Sequence, residues 1–279
     1  MLKHLAMRNG IKRFMAVFTQ TRKDNMYNLR KIILMTLTAG VVSAISGCAG
    51  DSVPLVDAVK DKKSFLVTNY SAKSINENVF KKLPLDSDGQ KSEFKVYFSS
   101  HVEGANGLKL DRKMSSTYTN LGNGLIQSID EYSSNDIPNI YNFSISYRDL
   151  IEIKWQEAFP GEMYTRYPME IKEITTWDKL DQDSTGSFKA AYKFGRVMQM
   201  GNYTDGEFSC LIEKQVDAQI IHAKLTGKAR MLNCTSAENG LVSFKQKRVY
   251  VDNLKVALPL ETISANSKEN FTVLDITGI

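Results

Sequence analysis

Residues Tyr141-Asn142-Phe143-Ser144-Ile145-Ser146-Tyr147 alternate large apolar and small polar side chains without a break. A strand points successive side chains to opposite faces, so this period of two reads as a strand with one dry and one wet face. The same period recurs on both sides of it. Phe94, Val96 and Phe98 alternate with Glu93, Lys95 and Tyr97. Ile151, Ile153 and Trp155 alternate with Glu152, Lys154 and Gln156, and Phe188, Ala190, Tyr192 and Phe194 with Lys189, Ala191 and Lys193. This is the pattern of an antiparallel sheet.

The punctuation agrees. Asn106-Gly107, Asn123-Gly124, Asp205-Gly206 and Asn239-Gly240 fall between apolar runs, and such pairs supply the positive φ that tight hairpins need. From Gly186 onward they predict a meander of five or six strands. Helices are scarce. Residues 76–83 make one, stopped by Pro84, and 176–180 another, while Ser64 to Tyr70 (SFLVTNY) reads as a first strand. Pro160-Gly161 and Pro168 interrupt the pattern; strands of one style on both sides favour an irregular crossing within one curved sheet over a domain boundary. The expected fold is mainly β, an antiparallel curved sheet, half-barrel or sandwich with few short helices.

The segment Arg30 to Cys48 (RKIILMTLTAGVVSAISGC) is of another kind. Two cations precede an uncharged apolar run that ends in Ile45-Ser46-Gly47-Cys48. A secretory leader has this order of charge, apolar core and small residues, and the run is short of the roughly 20 residues a membrane span needs. The segment resembles the bacterial lipoprotein signal peptide and its lipobox. The resemblance implies diacylglycerol on the Cys48 thiol, cleavage between Gly47 and Cys48, and a bilayer anchor in which each buried CH₂ contributes about 0.8 kcal/mol. Ala49, where an Asp would favour retention in the inner membrane, implies the periplasmic face of the outer membrane. Residues 26–47 are then the signal peptide, 48–63 the anchor and tether, and 64–279 a β-rich periplasmic domain. Residues 1–25 form a basic preface, for which Met26 offers a natural start.

Processing changes the charge. The segment before Cys48 holds eight of the 36 Lys and Arg and one of the 31 Asp and Glu, so the remainder carries two more acids than bases. A basic nucleic-acid footprint is absent from it. The partners expected are the membrane, through lipidated Cys48, and an envelope protein, polysaccharide or lipid. With Cys48 taken by lipid, Cys210 and Cys234 are an even pair in an oxidising compartment, on neighbouring strands of the same meander, and a disulfide between them is expected.

Signals of chemistry are weak. His222 lies in AQIIHAKL, read as a strand, and His101 ends a strand next to Ser100, whose side chain points to the other face. Glu152 with Glu157, or Asp181 with Asp183, could in principle flank a sugar, a reaction that needs two carboxylates about 5 to 9 Å apart. Asp86-Ser87-Asp88-Gly89 reads as a turn rather than a calcium loop, and Asp130-Glu131-Tyr132 as a solvated strand end. Five N-x-S/T triplets, at Asn69, Asn142, Asn202, Asn233 and Asn270, read as ordinary strand and turn residues in a bacterial protein. No catalytic residue, metal site or cofactor is expected. The leading expectation is a non-enzymatic envelope lipoprotein that binds or supports another component. A carrier of a lipid or other apolar ligand in a half-barrel, its aromatic strand faces lining the cavity, comes second, and an envelope hydrolase third.

Overall fold

The structure, a computed structural model, describes residues 55–86, 91–160, 166–180 and 186–279. The leader with Cys48 lies outside these residues, as do Ser87 to Gly89, Asp181 and Asp183. Twelve strands follow three short helices: β1 Ser92–Gly104, β2 Lys109–Asn120, β3 Leu125–Ser134, β4 Ile137–Tyr147, β5 Ile151–Ala158 and β6 Met169–Trp177. They continue as β7 Ser187–Arg196, β8 Thr204–Asp217, β9 Lys228–Glu238, β10 Leu241–Val251, β11 Val256–Ser264 and β12 Ser267–Thr277. Each pairs with the next, and β12 pairs antiparallel with β1, so the sheet closes into a barrel rather than stopping at a half-barrel. Closure leaves no row of unpaired backbone groups along a sheet edge. From Gly186 on there are six strands, at the upper figure expected for the meander.

Before the barrel come α1 Leu55–Lys60, α2 Lys62–Asn69 and α3 Glu77–Phe80. The third falls within 76–83 as expected. The expected strand over 64–70 is instead α2. Asp61 caps it by accepting from the Ser64 N–H at 3.0 Å, and Phe65 and Leu66 bury against the barrel. Burial of such side chains is worth roughly 1.5 to 3 kcal/mol each, against a few tenths for the strand preference of residues like Val67 and Thr68. Residues 176–180 form no helix; they are the end of β6 and the loop after it.

The helices reverse the expected sense of the opening stretch. Phe143 packs edge-on against Phe65 with ring centres 4.8 Å apart. The Tyr70 hydroxyl donates to Gln156 at 2.7 Å. The aromatic face of β4 is therefore the outer wall of the barrel, roofed by α2. Its polar face, with Ser144 and Ser146 buried, looks into the lumen, where Ser144 bonds to Ser128 at 2.8 Å. On β7 the aromatic face is the inner one: Tyr192 and Phe194 line the lumen.

One turn differs from its sequence reading and another carries no sequence signal. Asp205 and Gly206 sit inside β8, and the chain reverses earlier, between Arg196 and Thr204, with Asn202 at φ 55°. Gly206 is small because the Tyr192 ring lies over it: a Cβ there would come within 2.5 Å of the ring. The β4–β5 turn carries no glycine, yet Arg148 and Asp149 both have positive φ, 52° and 55°. This turn folds into the barrel end and seals it. The Arg148 carbonyl accepts from Ala257 N–H at 3.1 Å, and its buried guanidinium donates to the Tyr250 hydroxyl and, at 2.6 Å, to Asp86.

Candidate functional site

Above that seal the barrel holds a cavity of about 350 Å³. Strand alternation sets its lining. Ser116, Asp130 and Asn142 are direct cross-strand partners on β2, β3 and β4. Asp130 and Asn142 line the cavity, and Ser116 lies between the lining residues Met114 and Tyr118 on the same face. Glu152 enters from β5 opposite Ser146, and Arg248 from β10 on the far wall. Asp149 rises from the sealing turn. Trp155, Tyr192, Phe194, Phe208, Phe244 and Phe271 supply apolar wall toward the other end.

The charges are unbalanced. Arg248 Nη2 is 2.9 Å from Asp149 and 2.7 Å from the Ala257 carbonyl. Asp130 and Glu152 have no cationic partner within ion-pair distance among the described residues. The Asp130 Oδ1, Asn142 Oδ1 and Ser116 Oγ atoms are buried with no hydrogen bond. Ser116 lies near enough to favour the charged Asp130 without closing a bond to it.

Enclosure outweighs what attraction there is. Burial pushes Asp130 up to about 6 despite Ser116 and Arg248. It pushes Asp149 up to about 7 despite the Arg248 pair. Glu152 is pushed up to about 8, first by burial and then by Asp130 and Asp149. Glu152 is deep in the protein yet keeps much of its side chain accessible; what it is open to is the lumen. Water there relieves part of the cost of its charge.

The other sequence candidates do not assemble a catalytic centre. His101 is an exposed residue paired with Asp111 at 2.6 Å, which raises its pKa. Ser100 points the other way, to Glu269 at 2.5 Å. His222 is in the β8–β9 connection, after the 3-10 turn Ala218–Ile220, rather than on a strand. Glu157 sits at the far end of β5, paired with Arg166 at 2.9 Å, while Glu152 lies in the lumen. Asp130 is no solvated strand end: Asp130 and Tyr132 line the lumen, and only Glu131 faces outward, to Lys62. No three His, Cys, Asp or Glu side chains converge to hold a metal ion among the described residues.

Cys210 and Cys234 are joined by a disulfide between directly opposed positions of β8 and β9, with Cα atoms 4.0 Å apart. The far end of the barrel has its own character. Large apolar residues are exposed there, Leu108, Tyr167 and Met200 in the connections and Ile137, Leu241 and Ile263 at the strand ends beside them. At the sealed end the described connections expose only Ile220.

No family model matches the chain, and no curated protein does. Among solved structures it is similar to a DUF1329 family protein from Desulfovibrio piger, at 9% identity over 68% of this chain and 88% of that one, with a TM-score of 0.35. It is also similar to a beta-barrel-like protein of domain of unknown function DUF1849 from Brucella abortus, at 7% identity over 67% and 98%, with a TM-score of 0.36.

Proposed function

We propose that this chain is a non-enzymatic binding lipoprotein of the bacterial envelope, held to the outer membrane by lipid on Cys48, with a small ligand housed in its barrel. The observation that carries the reading is the lumen. It is sealed at one end by the Arg148–Leu150 turn and lined toward the other by six aromatic rings. Its volume of about 350 Å³ is at the small end of the roughly 300–1,000 Å³ common for small-molecule sites. The apolar tips around the open end support contact with a lipid surface. Six residues lie between Cys48 and Leu55, a reach of at most about 25 Å, so the anchor would hold the barrel close to the bilayer.

The test is a neutral fluorescent probe, N-phenyl-1-naphthylamine, titrated into the full chain purified from the envelope. Saturable binding at one site is expected, and Ser236→Phe, which adds a ring to the lumen wall, should abolish it. Probe binding that ignores Ser236→Phe would place the site elsewhere and overturn the reading.

A further inference from the structure

The lumen wall selects by charge as well as by size. Of the four carboxylates that line it, Asp149 already faces Arg248 at 2.9 Å and Glu238 is exposed toward the open end. Asp130 and Glu152 remain, facing the lumen. Two acceptor atoms beside them, Asp130 Oδ1 and Asn142 Oδ1, have no partner, and the hydroxyl of fully buried Ser116, which can donate as well as accept, closes no bond. Buried polar atoms are nearly always hydrogen-bonded, and leaving one unpaired costs about 1 to 3 kcal/mol. The single Ser116 hydroxyl can serve only one of these two acceptors, so this cross-strand level calls for a further donor with several N–H groups.

The groups facing these carboxylates do not supply it. On the neighbouring wall Arg112 is held by Glu269 at 2.7 Å and lies over the Tyr132 ring. Tyr118 donates to Asp149, and burial raises the pKa of Tyr118, Tyr132 and Tyr192, which keeps all three neutral. Toward the open end, Glu238 and Glu157 add negative charge near Glu152 and Tyr192. The aromatic rings complete the environment, since ring faces attract cations.

We propose that the lumen binds a protonated amine carrying an aromatic or alkyl body, its ammonium seated by Asp130, Glu152 and Asn142 and its body against Trp155, Phe194 and Phe208. This names the ligand class of the binding reading above and rests on it. An ammonium supplies three N–H donors, and its bonds to carboxylates are charge-assisted. Binding favours the ionised carboxylates, which the empty lumen disfavours, so it releases protons and strengthens as pH rises from 5.5 to 8.

Isothermal titration of the full chain with isosteric 1-naphthylmethylamine and 1-naphthalenemethanol tests this. The amine should bind at least about tenfold tighter than the alcohol at pH 8, and its advantage should shrink at pH 5.5. Asp130→Asn with Glu152→Gln should remove the preference while the alcohol still binds. The wild-type comparison stands even if that double variant fails to fold. Equal binding of amine and alcohol would overturn the charge proposal and leave the binding reading intact. Failure of both probes to bind would overturn both.

Discussion

At the scale of single residues, the barrel depends on one charged side chain inside it. Arg148 is buried at positive φ, and its guanidinium ties the sealing turn to Asp86 and Tyr250. Removing one partner of a buried pair typically costs about 3 to 5 kcal/mol. Asp86 keeps some solvent access, so Arg148→Met should destabilise by about 3 kcal/mol, at the low end of that range, in urea unfolding. A loss under about 1 kcal/mol would show that the turn is held by its backbone bonds alone. Little of this was legible in the chain. Nothing in Arg148-Asp149-Leu150 signals two left-handed residues, because asparagine and glycine are the usual markers. The same blindness hides Asp130. Read along the chain, Asp130-Glu131 looks like a solvated strand end; only closure puts one carboxylate inside and its neighbour outside. The sequence offers Glu152 only as one of two carboxylate pairs, with Glu157, and its lumen neighbours come from β3, β4 and β10, which no local spacing connects.

At the scale of elements, the period-two runs located the strands well because alternation is a property of the strand itself. It did not say which face would be inside. On β4 the aromatic face is outer and roofed by α2, whereas on β7 it is inner. That choice depends on where the helices lie, and α2 itself reads as a strand until its contacts with Phe143 and Gln156 are known. The disulfide was readable, since two cysteines on successive strands of a meander can meet. It closes a loop with a sequence separation of 24, and on the chain-entropy view such a crosslink contributes about 3 to 4 kcal/mol. Reduction should lower the melting temperature by several degrees, and Cys210→Ala with Cys234→Ala should reproduce the drop. An unchanged melting temperature after complete reduction would mean that strand pairing alone fixes β8 to β9.

At the scale of the whole molecule, the twelve-strand closed barrel gives each end a different chemistry. One end is sealed by a buried arginine, and the other is ringed by apolar tips. Between them lies a lumen into which Asp130 and Glu152 point carboxylates that no described cation neutralises. The sequence pointed to curvature and to an internal aromatic face, but not to closure, because the pairing of β1 with β12 joins segments at opposite ends of the domain. The central claim is that this lumen holds a small molecule. Native mass spectrometry of the full chain purified from its own cells under non-denaturing conditions tests it most directly. The account predicts one bound small molecule per chain, released on unfolding and absent from Ser236→Phe. A wild-type chain that carries no such molecule, and takes up no added amine, would contradict it.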